Sequence, residues 1–355
     1  MLEDFDITEA AGRIRFDSWG LPAIEAEVVL ENGARGRAMV PVTGNQSVET
    51  EENLIREYLS EVILFEHALE QPVIDGMLFK EYENRVGKGI KSPGVLALSM
   101  AVARAAGAGL GLPLYRYLGG TTKPVMPVPM MSMICGGDAE KDIDFQDIMV
   151  VPQNTGSYGE GLRMGAEIYH TLKKLLLDHG FDISTGRGGG FAAEMKHGEE
   201  ALHYLLDAIE LAGYAPGADA GIGIWTDGFP IVSIVRGLWK NDTEGRNQLT
   251  GMHGHRVLNG YDRMDEGNAD VIEMKQAGTV SAVLTRVQES RVAGHKIIIA
   301  SDFIDTEESF ASDLAAAVHA DYVKCGAPAR GECTSKYNEL LRIEEFYYNR
   351  TPSIG

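Results

Sequence analysis

Apolar and polar residues alternate through "IEAEVVLENG" (Ile24 to Gly33), the two-residue period of a half-buried strand, and Gly33 supplies the turn signal at its end. The next long segment, "ETEENLIREYLSEVILFEHAL" (Glu49 to Leu69), changes to the three-to-four spacing of a charged amphipathic helix. Together they predict a small α+β lobe. The Ala-rich "GVLALSMAVARAAGAGLG" follows, whose small side chains suit a closely packed helix ending near Gly109 or Gly111. A proline cluster, "KPVMPVPMMS", then breaks the pattern and separates a domain of residues 1–122 from one of residues 123–355.

Beyond the prolines, short apolar runs alternate with amphipathic helices. "QDIMVVP" precedes a helix that carries Leu162, Ile168, Tyr169, Leu172 and Leu176, and a second helix presents Leu202, Leu205, Leu206 and Ile209. The runs "PIVSIV", "ADVIEM", "HKIIIAS" and "DYVKCG" read as strands, and "VSAVLTRVQESRVAG", "EESFASDLAAAVHA" and "SKYNELLRIEEF" as helices. This βα alternation predicts a parallel sheet, open or closed, with chemistry at the C-terminal ends of its strands. One interval departs from it. Only four residues separate "ADAGIGIW" from "PIVSIV", where a parallel crossover takes about a dozen. Either the two segments form a hairpin or one of them is not a barrel strand.

The chain has 355 residues, 44% of them hydrophobic and 24% charged, which describes a globular protein with ample core. No apolar run approaches the roughly 20 residues of a membrane span, and the acidic opening "MLEDFDITEAAGR" is unlike a secretory signal, so the expected location is the cytoplasm. A net charge of −20 repels nucleic acid and anionic membranes and leaves no basic stripe for a phosphate backbone. Cys135, Cys325 and Cys333 are few, odd in number and not in metal-ligand spacing, which predicts buried thiols rather than disulfides or a zinc ribbon. His253 and His255, in "MHGHRV", share a strand face and pose a zinc pair without a third ligand near them.

The densest chemistry lies in "ISTGRGGGFAAE" (Ile183 to Glu194), where four glycines surround Arg187. A dinucleotide fingerprint would place a glycine where Phe191 stands, so that motif fails. Two readings remain open: an anion cradle of backbone N–H groups plus Arg187, or a tight turn.

Four segments in order, "RIRFDSWGLPAIEAEV", "SMAVARAAGAGLGLPLYRYLGG", "GLRMGAEIYHTLK" and "KCGAPARGECTSKYNELLRIEE", resemble the enolase (phosphopyruvate hydratase) family over most of the chain. The resemblance implies an N-terminal α+β lobe followed by an enolase-like β/α barrel, with the barrel's completeness around residues 219–235 left open. It also implies magnesium, a homodimer or higher homo-oligomer, and a small anionic substrate. Carried over position by position, the family's machinery is altered. Asp219 matches the first metal ligand, but the second falls on Val235 and the third on Asn259, with Asp262 as a nearby substitute. Glu273 occupies the place of the catalytic lysine base. Asp302 replaces the phosphate-binding arginine, Ser301 the histidine before it, and Ala139 the mobile-loop histidine. Arg187 and Gly188 stand where an acid pair is expected. Lys324 is kept on the last strand, and Asp147 stands for the acid of the Q-E-F strand.

The expected catalytic residues are therefore Lys324, Glu273 and Asp147, the substrate-binding ones Arg187, Gly188, Asn45, Ser301 and Asp302, and the metal ligands Asp219 and Asp262. These changes point away from efficient 2-phosphoglycerate dehydration. They point to an enzyme acting on an enolpyruvate-type or phosphonate carboxylate, similar to carboxyphosphonoenolpyruvate synthase. A non-catalytic paralogue with a binding or regulatory role is one alternative, and a residual phosphopyruvate hydratase (lyase) is another.

Overall fold

The computed structural model describes residues 4–44, 46–89, 91–135, 147–186, 188–195, 198–223, 231–235, 258–261, 268–301 and 305–348, with the backbone alone at 231–235, 258–261 and 348. It divides into two compact units. One holds residues 1–125, 272–288 and 304–319; the other holds residues 126–271, 289–303 and 320–355.

In the first unit, β1 (Ile7–Phe16), β2 (Pro22–Leu30) and β3 (Arg35–Pro41) form an antiparallel meander in which Arg13 stands opposite Glu25 and Glu27 opposite Arg37. The alternation read in β2 is the alternation of its two faces: Ile24, Ala26, Val28 and Leu30 are buried. The Ala-rich segment forms a helix over Pro93–Gly109, started by the Ser92 hydroxyl, which accepts from the Val95 N–H. It lies so close to β3 that a Cβ on Gly36 would come within 2.0 Å of the Ala101 carbonyl oxygen. The charged segment is helical over Val48–Leu54, passes through a π turn at Ile55–Leu59 and resumes over Ser60–Ile63.

The second unit is built on one nine-stranded sheet. Its strands are β4 (Val128–Pro129), β5 (Met131–Cys135), β6 (Asp147–Pro152), β7 (Ala220–Gly223), β8 (Ile231–Val235), β9 (Leu258–Tyr261), β10 (Ala269–Glu273), β11 (Lys296–Ala300) and β12 (Tyr322–Lys324). The hydrogen-bonded order runs β4-β12-β11-β10-β9-β8-β7-β6-β5, so the two ends are β4 and β5, separated only by Met130. The Met130 N–H donates to the Val323 carbonyl and the Ser132 N–H to that of Gly326, so one continuous segment pairs with both flanks. The sheet is a closed barrel. Met130, Met149, Val151, Ala269, Val271, Ile298 and Ala300, every second residue of their strands, form a buried cluster.

The parallel expectation needs one correction. β6 runs antiparallel to both β5 and β7, while β7 to β12 are parallel. Residues 136–146 join β5 to β6, an interval suited to an antiparallel return rather than to a helical crossover. The interval around residues 219–235 needs another. β7 and β8 are neighbours and parallel, with Ile222 beside Ile231, so neither a hairpin nor a missing strand explains it. Seven residues reach about 23 Å when extended, enough to return along strands only four and five residues long. β9 and β10 are likewise parallel with seven residues between them. Helices do occupy the other described crossovers: Tyr158–Asp178 and Gly198–Leu211 between β6 and β7, Val280–Val292 between β10 and β11, and Phe310–Ala317 between β11 and β12. Among the described residues, no helix is long and apolar enough to cross a membrane.

Candidate functional site

Because β6 alone is reversed, its first residue lies at the same mouth of the barrel as the last residues of the other strands. The register sets Asp147 opposite Cys135, the final residue of β5. Across the closure lies Lys324, the final residue of β12, whose Nζ is 3.1 Å from Asp147 Oδ2. The side chains are 15% and 6% exposed, so this ion pair is largely withdrawn from water. The Ser132 hydroxyl, fully buried, donates to the same carboxylate oxygen at 2.7 Å, and the Cys135 thiol donates to Oδ1 at 3.8 Å. Ser301 follows β11 directly and donates its backbone N–H to the Lys324 carbonyl at 3.0 Å. The structure thus brings Asp147, Lys324 and Ser301 together.

The glycine stretch closes over the same end of β5. Phe191 exchanges backbone bonds with it: its N–H donates to Met133 O at 2.8 Å and its carbonyl accepts from the Cys135 N–H at 3.0 Å. The Gly186 N–H donates to Gly190 O and the Gly189 N–H to Gly186 O, so both are consumed inside the turn. Its carbonyls are held as well. Gly186 O accepts from Arg330 Nη1 at 3.1 Å, Gly188 O from the Ala327 N–H at 2.7 Å, and Gly189 O from the Tyr169 hydroxyl at 2.8 Å. The Tyr169 ring also stacks on Phe191 with centroids 4.4 Å apart, and burial pushes its phenol up to about 12. Two donors remain. The N–H groups of Gly190 and Gly188 face the Cys135 sulfur, whose thiol is pushed up to about 12 by burial first and by the Asp147 charge second, against their pull and that of Lys324. The four described glycines therefore form a tied turn, and an anion cradle here rests on Arg187, which lies outside the described residues, as do Asn45, Asp262 and Asp302. So do His253 and His255.

Of two further expected residues, one ends a strand as Lys324 does and the other takes another place. Glu273 ends β10 and accepts from Gln276 Nε2 at 2.7 Å through the short helix Met274–Ala277. Asp219 precedes β7 and accepts from the Ala215 N–H at 2.8 Å, at the start of its strand and hence at the end of the barrel away from Asp147 and Lys324. Ser132, Cys135 and Arg330 join the mouth although nothing in the linear pattern singled them out for it. The one signal available was the pairing of "MSMIC" with "QDIMVV", which sets Cys135 against Asp147.

Magnesium requires near-octahedral oxygen coordination. Among the described residues no group of three or more His, Cys, Asp or Glu is placed to hold a metal. Asp147 is committed to an ammonium, a hydroxyl and a thiol, and Asp219 caps a turn at the far end. These residues do not fit a magnesium ion. The three cysteines are free and buried.

The enolase C-terminal TIM barrel domain, as a family model, matches residues 123–229 and 224–352, more than half of the chain. The two matched stretches meet within the seven residues that join β7 to β8, the connection too short for a crossover helix. With more than half of its length matched, the chain belongs to the enolase family through this C-terminal TIM barrel domain.

Proposed function

We propose that the protein binds a small carboxylate-bearing anion at the barrel mouth, of the enolpyruvate or phosphonate type, and acts on it in the manner of a carboxyphosphonoenolpyruvate synthase rather than as a 2-phosphoglycerate dehydratase. The supporting observation is the Lys324–Asp147 pair, 3.1 Å apart and largely shielded from water at the mouth. A shielded ammonium is a strong point of attachment for a ligand carboxylate, and the carboxylate beside it can exchange a proton with the ligand as charge develops. Family membership is the ground for expecting magnesium, but no step is assigned to it, since the described ligand set does not fit one.

Dehydration of 2-phosphoglycerate needs a base for the α-proton, a metal for the enolate and an acid for the departing hydroxide. At the matching positions stand Glu273, a depleted ligand set, and Arg187 with Gly188. Each such loss removes orders of magnitude of rate.

Phosphonoformate and phosphoenolpyruvate serve as probes in calorimetry and thermal shift, with and without magnesium. The expected result is binding of at least one probe by wild type and a loss of tenfold or more in Lys324→Ala. Absence of binding by both overturns the ligand class and favours the non-catalytic reading. Formation of phosphoenolpyruvate from 2-phosphoglycerate, followed in the ultraviolet, is expected to be negligible; turnover like that of ordinary enolases overturns the proposal. Assembly as a homodimer or higher homo-oligomer is part of the same proposal, and light scattering that shows a monomer removes it.

A further inference from the structure

Two parts of the mouth meet at a side chain that belongs to neither the ion pair nor the glycine turn. On one side, the Cys135 S–H donates to Asp147 Oδ1 at 3.8 Å. On the other, its own backbone N–H donates to Phe191 O at 3.0 Å, next to Gly190. The turn is shaped around this residue. A Cβ on Gly190 would come within 2.7 Å of Cys135 Sγ, and one on Gly186 within 2.8 Å of Cys135 Cβ. Gly186 and Gly190 are therefore explained by the room that the cysteine takes. Among the described residues, no hydrogen bond runs directly from Asp147 to the turn, so the thiol is the polar link between them.

We propose that Cys135 is a positioning residue: its neutral thiol packs against the glycine turn and donates to Asp147, so that the turn and the Asp147–Lys324 pair hold or shift together. The chemistry suits a donor and not a nucleophile. A carboxylate 3.8 Å away opposes formation of a thiolate, while burial keeps the S–H protonated and pointed at its acceptor. A ligand that draws Lys324 away from Asp147 would then reach the turn through the sulfur. The functional weight of this link rests on the reading of Lys324 and Asp147 as the ligand-contacting pair.

The test needs no ligand, which keeps its failure separate from a failure of probe binding. Wild type and Asp147→Asn are alkylated with iodoacetamide at mildly alkaline pH, and the labelling of each cysteine is followed by mass spectrometry. Removing the charge beside Cys135 is expected to speed its labelling at least tenfold, while Cys333, equally buried and facing Gly188 O from the far side of the turn, keeps its rate. Equal acceleration at both cysteines means general loosening and overturns the proposal, as does no change at Cys135. Amide exchange across residues 186–191 gives the second reading. Asp147→Asn is expected to accelerate it in wild type and in Cys135→Ser, which keeps a donor, but to add nothing in Cys135→Ala; the same increment in Cys135→Ala overturns the link. If Cys135→Ala does not fold, the Cys135-against-Cys333 contrast in Asp147→Asn decides alone.

Discussion

Glu51 and Asp147 are both buried carboxylates, at 2% and 8% exposure, and each is held in a different kind of setting. Glu51, in the N-terminal unit, accepts from the Ser92 hydroxyl at 2.5 Å, the Tyr82 hydroxyl at 3.2 Å and the Gly94 N–H at 3.1 Å. These donors are all neutral, and two of them lie at the start of the helix Pro93–Gly109, where a negative charge is favoured. Asp147, in the barrel unit, keeps an ammonium at its edge as well as a hydroxyl and a thiol. The first acid fastens a helix start within the lobe. The second sits where strands end and has a positive partner beside it that is 15% exposed. Burial alone does not distinguish the two roles; the charge and location of the donors do.

Removing Glu51 should have the largest effect. Glu51→Ala leaves three buried donors without their acceptor, and we expect a loss of roughly 3–5 kcal/mol in urea unfolding. The same variant should lower the Tyr82 phenol, held at about 12 by burial first and by the Glu51 charge second, only part of the way towards its ordinary 10.0. The raised value makes Tyr82 a stabilising group below pH 10 whose contribution is lost as pH rises through about 12. An ultraviolet titration that finds the phenol unmoved in Glu51→Ala would remove Glu51 from that account. Lys324→Met should cost less, roughly 2–3 kcal/mol, because the stranded Asp147 retains the Ser132 hydroxyl and the Cys135 thiol as donors. The double variant with Asp147→Asn should recover most of that loss. A cost from Lys324→Met as large as that of Glu51→Ala would erase the distinction between the two acids.

Much of this arrangement is legible along the chain, and what is not fails for a physical reason. Strand positions follow from period and from apolar runs: Ile24, Ala26, Val28 and Leu30 recur at every second residue, and the unbroken run Ile148 to Val151 is buried on both faces. Lys324 and Asp147 stand out by likeness to family motifs, and both reach the mouth. Asp219 stands out in the same way but lies at the opposite end of the barrel, because it precedes β7 instead of ending it, and likeness over a few residues does not tell which of the two it does. The reversal of β6 is a property of pairing, not of its six residues. Cys135 reads as the apolar end of a strand. Its contacts with Asp147 and with Gly190, twelve and fifty-five positions away, exist only once the register and the turn are in place.

The glycine turn offers a sharper cut at the barrel side of the comparison. Gly190→Ala places a Cβ 2.7 Å from Cys135 Sγ and should cost about 2 kcal/mol by overpacking. Combining it with Cys135→Ala removes the sulfur, and the double variant should be more stable than the sum of the single losses by about 1 kcal/mol. Gly186→Ala meets Cys135 Cβ at 2.8 Å, an atom that Cys135→Ala retains, so no such recovery is expected there. Recovery at both glycines, or at neither, would mean that the turn is not shaped around the thiol.

The smallest effect belongs to a third acid, Glu27, which is itself buried but takes its cations from arginines that lie in solvent. It pairs with Arg13 and Arg37 at 2.8 Å and Arg35 at 3.7 Å on the outer face of the N-terminal sheet, and these arginines are 43–62% exposed. The Arg37 hydrogen bond, chiefly, holds the Glu27 carboxyl below its ordinary 4.5. A lowered value stabilises the fold above pH 4.5 and ceases to do so as pH falls through it. Water and salt screen the arginines, so Glu27→Gln should cost only roughly 0.5–1 kcal/mol at neutral pH. That difference should shrink towards zero in urea titrations carried into the acid range and should also diminish in about 1 M salt. A loss on the scale of Glu51→Ala, insensitive to salt, would show that three exposed arginines can do for an acid what three buried neutral donors do, and the comparison would have to be drawn on charge alone.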